Sequence, residues 1–339
     1  MKKLPVIIIL LLLSLRCFSQ ETHEHNFYNE LFGDGEDSFV CYNRVHRNFY
    51  VSIFGAVACL AVVGFSRYRI KKRAAVELER KNAVIEEKNK DITDSIRYAK
   101  RIQSAILPPE GHIENIFPDH FILYEPKDIV SGDFYWAGMR GGKAMIAAVD
   151  CTGHGVPGAF LSIIGHNGLN KAVNQEGLTK PSEILDALNR EVTATLRQGN
   201  NAELKDGMDI AFCTYDKING TLQFAGAFNS LYVMRNGALE EVKADRWAVG
   251  SMEKTAGSFT NHEVIISRGD VFYLFSDGYG DQFGGKDGKK FKMSRMKELL
   301  VSIHQKPMKE QQSIIERTLE EWRGNLEQVD DVLVIGVRV

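Results

Sequence analysis

The sequence predicts an α+β fold in which antiparallel sheets are covered by helices, and three observations lead to it. Short apolar runs follow one another across Asn-Gly turns, at Asn219-Gly220 and Asn236-Gly237, a dipeptide that supplies the positive φ angles of a tight hairpin. Helical patterns arrive in pairs of segments, so strands and helices are segregated rather than alternating. The chain closes on one long apolar run, Val332-Leu-Val-Ile-Gly-Val-Arg-Val339.

The predicted fold begins late in the chain. The protein has 339 residues and a formal net charge of −2, with 25% charged and 44% hydrophobic residues. This is globular composition with room for two or three domains and no basic excess for nucleic acid. Met1 to Gln20 opens on Lys2-Lys3, continues through the apolar Val6–Leu13 and reaches small residues, the pattern of a signal peptide over 1–19. A retained first membrane helix is the alternative. A lipoprotein reading through Cys17 is disfavoured by Arg16, where a small residue is wanted. Residues 20–47 form a short extracytoplasmic segment, too small for a core of its own. Residues 48–66 carry no charge and match the length of a bilayer span. Arg67, Arg69, Lys71, Lys72 and Arg73 follow at once. The positive-inside rule then places the rest of the chain in the cytoplasm, on a single-pass anchor in the inner membrane. Cys151 and Cys213 lie on that reducing side, and no CxxC pair suggests zinc.

Residues 67–106 contain neither Gly nor Pro. Leu78, Ile85, Ile92, Ala99 and Ile106 recur every seven residues, with Ala75, Asn82, Asn89, Ile96 and Gln103 at the companion position. This is a coiled-coil seam, and Asn at such positions favours a two-stranded register. A parallel homodimer is expected, with a solvated single helix as the bland alternative. Pro108-Pro109 ends the helix.

From 107 to 339 the chain reads as one large domain. Strands are expected over 210–215, 221–225, 231–235, 238–242, 262–266, 271–275 and 332–339, with 262–266 and 271–275 forming a hairpin around Arg268-Gly269-Asp270. Helices are expected over 157–174, 181–197, 294–304 and 307–322.

Acidic residues gather at the ends of these elements. Asp150 ends an apolar run and enters the glycine-rich turn Cys151-Thr152-Gly153-His154-Gly155. Asp277 ends another run in Ser276-Asp277-Gly278, Asp330 and Asp331 precede the last strand, and Asp133 lies in Ser131-Gly132-Asp133-Phe134. One such acid is most simply a turn cap. Four of them converging on a cleft would repel one another, and divalent cations are the usual remedy. An oxygen-only donor set favours Mg²⁺ or Mn²⁺. Two such ions can bridge a water and lower its pKa for attack on phosphorus.

The ordered set Gly132-Asp133-Phe134-Tyr135, Asp150-x-Thr-Gly-His-Gly-x-Pro-Gly-Ala159, Ser276-Asp277-Gly278 and Asp330-Asp331 resembles the metal-dependent PPM-type serine/threonine phosphatases, in particular the SpoIIE/RsbU branch. The leader Lys90 to Pro109 looks like the joining segment of Bacteroidetes members. The resemblance covers residues 107–339. It implies an αββα four-layer sandwich with two Mn²⁺ or Mg²⁺ ions between the sheets. It also implies that Asp150 bridges the ions, that the Cys151 carbonyl and Asp133 serve one of them, and that Asp277 and Asp330 hold the other. Asp331 ranks behind Asp330 as a ligand. His154 matches a histidine placed as general acid for the leaving serine oxygen, with a turn role as its plain alternative. Phe134, Tyr135 and Trp136 read as core.

The chain departs from the wider pattern in places. No arginine stands before Asp133 to clamp phosphate, and Lys127 is a weak substitute candidate. Ala227-Phe228-Asn229-Ser230-Leu231 replaces a more polar loop. Asp209 reads as a turn acid rather than a group near the metals.

The implied activity is removal of phosphate from Ser or Thr on a partner protein, by resemblance a phosphorylated STAS-type anti-sigma antagonist. The competing reading is a catalytically silent dimeric membrane scaffold. The heptad argument predicts that residues 67–339 are dimeric at micromolar concentration. Light scattering checks this, and a monomer mass would remove the coiled coil.

Overall fold

The computed structural model describes residues 36–197, 206–250 and 258–339. The signal-peptide reading of 1–19, and the extracytoplasmic segment up to residue 35, lie outside the described residues. The chain divides into two compact units, residues 1–88 and 89–339.

In the first unit, helix α1 (Glu36–Ile106) starts ahead of the apolar span and runs beyond this unit. It is the one helix among the described residues that is long and apolar enough to cross a membrane. Leu78 and Ile85 on it are exposed.

The second unit takes the end of α1 and then α2 (Glu110–Ile116), β1 (His120–Glu125), β2 (Phe134–Arg140), β3 (Lys143–Cys151) and α3 (Gly155–Asn170). A π-helical turn (Lys171–Gln175) leads to α4 (Pro181–Arg197), β4 (Met208–Asp216), β5 (Thr221–Ala227), β6 (Leu231–Arg235) and β7 (Ala238–Val242). The chain continues with β8 (His262–Ile265), β9 (Val271–Phe275), α5 (Gly278–Asp281), the two-residue strands β10 (Phe283–Gly284) and β11 (Lys289–Lys290), α6 (Met293–Ile303), α7 (Met308–Arg323) and β12 (Val332–Arg338).

Two five-stranded sheets result, in the orders β1-β12-β9-β6-β7 and β2-β3-β4-β5-β8, and every pairing in them is antiparallel. Side-chain alternation explains why they stack. Along β3, Met145, Ala147 and Val149 enter a core shared with α3 and α4, while Ala144, Ile146 and Ala148 enter a second core. Leu333, Ile335 and Val337 of β12 and Phe272 and Leu274 of β9 reach that second core from the other sheet. The opposite faces of these strands, with Val334 and Tyr273, pack on α6 and α7 in a third core. Central strands buried on both faces read as unbroken apolar runs, as this sequence does. Three apolar interiors between four layers make the αββα sandwich.

The Asn236-Gly237 turn has positive φ at both residues, 50° and 78°, which is the type I′ geometry its sequence demands. The expected hairpin of 262–266 with 271–275 does not form. Strand β8 pairs with β5 in one sheet and β9 pairs with β6 and β12 in the other. The burial patterns give the reason: β9 is buried throughout and needs cover on both faces, whereas β8 alternates as an edge strand does. The turn between them therefore crosses from sheet to sheet. The last turn of α1 departs from the heptad pattern as well, since Gln103 is buried within the second unit rather than held on an open seam.

Leu274 is fully buried between the sheets, while Ile218 is 88% exposed. Leu274→Ala is expected to cost about 2–5 kcal/mol in urea unfolding. Ile218→Ala is expected to stay within about 0.5 kcal/mol.

Candidate active site

The acids sit where the apolar filling between the sheets runs out. Strand parity puts them there. Asp150 follows Ala144, Ile146 and Ala148 on the inter-sheet side of β3, and Asp209 precedes Ala211 and Cys213 on the same side of β4. These two residues are direct cross-strand partners in the ladder. Asp133 precedes Tyr135 and Ala137 on the inter-sheet side of β2. From the other sheet, Asp277 follows the end of β9, and Asp330 and Asp331 lie just ahead of β12. Antiparallel pairing thus collects acids from distant parts of the sequence at one end of the cleft.

Their electrostatics follow from that crowding. Burial is the largest cause raising Asp133 well above the usual carboxylate range, Asp150 and Asp331 add to it, and the Ser276 hydroxyl pulls the other way. Asp150 is pushed up to about 8, by burial first and then by Asp277, Asp209 and Asp330. Asp209 rises to about 7 through burial and Asp277. Asp277 rises through desolvation first, then through Asp281 and Asp330, with Lys290 opposing. Asp133 is 2% exposed, and its Oδ2 faces no hydrogen-bond donor among the described residues. Asp150 adds like charge beside it, so a proton or a cation would relieve both groups.

The backbone around these acids is held tightly. Asp331 Oδ1 accepts the Lys127 N–H and its Oδ2 accepts the Gly132 N–H, both at 2.7 Å. Both oxygens of Asp331 therefore frame the entry to β2. Asp330 Oδ1 caps the Asp331 N–H at 2.9 Å. A Cβ on Gly132 would lie 2.5 Å from the Gly153 carbonyl oxygen, and one on Gly158 would lie 2.1 Å from that same oxygen. Glycine is required at both positions for the turn after Asp150 to close. The Cys151 thiol is buried among apolar side chains and raised by that burial. Only the Cys151 carbonyl is left to serve a metal. Phe134 and Trp136 belong to the core under α3 and α4, and Tyr135 packs between the sheets.

His154 stands at the exposed side of the turn. Its Nδ1 lies 2.6 Å from Asp128 Oδ2, and its Nε2 lies 3.0 Å from Lys127 Nζ. A neutral imidazole fits this arrangement with Nδ1–H donating to Asp128 and Nε2 accepting from the ammonium. Lys127 therefore contacts the histidine by its side chain and Asp331 by its backbone. Phe228 projects half-exposed from the 227–231 loop in the left-handed region, at φ 57°.

Asp209, which the sequence favours as a turn acid over a group near the metals, is a strand residue in the acid cluster. The signal was present: apolar alternation through 210–215 extends back to Met208, which puts Asp209 on the inter-sheet side. Asp128 was missed, because nothing in the sequence links it to His154.

The donor set fits divalent cations. It is all oxygen, it holds an orphaned buried carboxylate oxygen, and its members raise one another's pKa. Among the described residues no three His, Cys, Asp or Glu side chains form a ready cage. Mg²⁺-type sites do not need one, since they keep several waters and few protein ligands. The titration gives a sign. Asp150 and Asp209 have folded pKa values above the carboxylate norm, so their contribution to stability is full below about pH 4 and is lost as pH rises through about 7–8. Added Mg²⁺ or Mn²⁺ is expected to raise Tm more at about pH 8.5 than at about pH 5.5, because the acids must be ionised to bind it. Thermal melts with metal or chelator check this, and an equal shift at both pH values would contradict it.

Comparison with known proteins bears on this arrangement. Residues 140–339 match the family model described as stage II sporulation protein E (SpoIIE). Among solved structures, the SiaA-PP2C domain of Pseudomonas aeruginosa is 34% identical with a TM-score of 0.68, covering 74% of this chain and 98% of that one. The RsbU and RsbW domains of Rv1364c from Mycobacterium tuberculosis are 19% identical with a TM-score of 0.53, covering 66% of this chain and 60% of that one. The PP2C phosphatase domain of SpoIIE from Bacillus subtilis, with a fragment of its regulatory domain, is also 19% identical, with a TM-score of 0.52 and coverage of 65% and 61%. The last two are alike in fold alone. No curated protein matches the chain. A family match over more than half the chain, with a relative one-third identical along almost its whole length, shows that this chain belongs to the SpoIIE family and carries a PP2C-type serine/threonine phosphatase domain.

Proposed function

We propose that the protein is a membrane-anchored, dimeric phosphatase that removes phosphate from serine or threonine of a partner protein, with Mn²⁺ or Mg²⁺ as cofactor. The observation that carries the catalytic part is the acid cluster at the end of the inter-sheet cleft, with the orphaned Oδ2 of Asp133 inside it. Asp150, Asp133, Asp277, Asp330 and the Cys151 carbonyl would hold the cations, and Asp209 adds negative charge beside Asp150. When bound, the ions supply Lewis acidity and lower the pKa of water near phosphorus.

The chain's own residues do the rest. Asp331 fixes the Lys127 and Gly132 backbone and so keeps Asp133 in place. Asp128 orients the His154 ring through Nδ1; Nε2, which accepts from Lys127 in this arrangement, becomes a proton donor to the departing serine oxygen only after it has released Lys127 and taken up a proton of its own. Lys127, now on Nε2, offers a positive charge at the same edge for an incoming phosphate.

The apolar stretch of α1 and the basic run after it support the anchor, with the catalytic domain in the cytoplasm. Exposed Leu78, Ile85 and Ile92 at heptad spacing support a two-stranded coiled coil, since each would otherwise stay in water. A phosphorylated STAS-type antagonist is the substrate class that the family resemblance favours.

Hydrolysis of p-nitrophenyl phosphate is expected to require Mn²⁺ or Mg²⁺. Asp150→Asn is expected to lower the rate by about a hundredfold or more, equivalent to about 2.7 kcal/mol of barrier. A wild-type protein silent with both metals, on this ester and on phosphorylated STAS proteins, would leave the scaffold reading in its place.

A further inference from the structure

In the last turns of α1 one side chain is buried, Gln103, on a face where Ile96, Ala99 and Ile106 are half-buried. Gln103 is 4% exposed, while Arg101, Ile102, Ser104 and Ala105 around it face solvent. Its Nε2 donates to the Ser131 carbonyl at 2.6 Å and to Ser162 Oγ at 2.9 Å, and its Oε1 accepts the Ser131 N–H at 3.1 Å. One amide thus takes both backbone groups of Ser131 and uses both of its own donors. A heptad position calls for an apolar residue in a seam; this residue instead makes a fully paired polar contact inside another layer.

What Gln103 holds is the approach to the acid cluster. Ser131 is buried, and its Oγ accepts the Asp133 N–H at 3.0 Å. Between them, Gly132 donates to Asp331 and packs against the Gly153 carbonyl. Ser162 sits on α3, donates to the Ala159 carbonyl at 2.8 Å, and so ties in the helix that leaves the Asp150 turn. The amide therefore joins three pieces: the end of α1, the segment that delivers Asp133, and the helix fixed behind Asp150.

We propose that Gln103 is a positioning residue. It holds the Ser131–Asp133 segment where Asp133 can meet a divalent cation. This rests on the reading that the acid cluster binds such cations. The chemistry of substitution follows from the bonds. Leucine would fill the space yet leave the Ser131 N–H and carbonyl unpaired in a dry position, favouring a shift of the segment. Glutamate would still accept the Ser131 N–H but would set a carboxylate oxygen against the Ser131 carbonyl.

The test uses the full chain in detergent and follows Mn²⁺ binding by the EPR signal of the free ion, which does not depend on turnover. Gln103→Leu and Gln103→Glu are expected to weaken Mn²⁺ binding about tenfold, the low end of what losing an outer partner of a metal ligand does. Activity on p-nitrophenyl phosphate should return at saturating Mn²⁺, and Ser104→Ala should behave as wild type. Ser131→Ala, which keeps the Gln103 bonds and removes only the acceptor for Asp133 N–H, is expected to weaken Mn²⁺ binding too; it serves as the deciding variant where the Gln103 substitutions fail to fold. Unchanged Mn²⁺ affinity beside a lowered Tm would make Gln103 a docking residue only and overturn the proposal. Unchanged affinity in Ser131→Ala would overturn it as well. A wild type that binds Mn²⁺ but hydrolyses no phosphoester would defeat the phosphatase reading and leave this one standing, and a wild type that binds no Mn²⁺ would defeat both.

Discussion

Repulsion among carboxylates is the constraint on which the rest of the domain depends. Asp133, Asp150, Asp209 and Asp277 share one end of the cleft between two sheets, and each raises or is raised by another. A fold gains nothing in stability from such a group by itself, because burial and like charge both act against the ionised form. The arrangement is sustained by strands whose interiors are apolar on both faces, and those strands carry the acids only at their ends. The same alternation that builds three cores decides which acids face the cleft.

Around the acids the structure uses backbone rather than bulk. Gly132 and Gly158 pack against the Gly153 carbonyl closely enough that any Cβ would collide. Asp331 spends both oxygens on backbone N–H groups from two points of the loop before β2. A carboxylate accepting two backbone donors is a firm local anchor. The acid next to it in sequence, Asp330, keeps a freer position, so adjacent residues of one type do different work. The Asp128–His154–Lys127 row lies on the outer edge of the same loop system, tied to it through the Lys127 backbone.

The end of α1 shows how a periodic pattern and a specific contact compete. Heptad spacing places Gln103 with Ala75, Asn82, Asn89 and Ile96. In the fold its amide is matched to Ser131 and Ser162, and a buried amide with every partner supplied is stable where a half-satisfied one would not be. The consequence is that the last turn of the helix belongs to the catalytic domain.

The fold class, the β6–β7 hairpin at Asn236-Gly237, the helix from Pro181 to Arg197 and the acids at element ends are legible in the residues alone. These are local properties: turn chemistry, period and breaker residues act within a few positions. The family resemblance extended them to a four-layer sandwich. The parting of β8 and β9 into different sheets emerges from packing, because the choice depends on which face each strand must bury. Tertiary packing alone placed Asp209 opposite Asp150 and Asp128 beside His154, since those pairs are separated in sequence and meet through sheet register and loop closure. It also moved Gln103 out of the seam, because the partners of its amide lie 28 and 59 residues further along the chain.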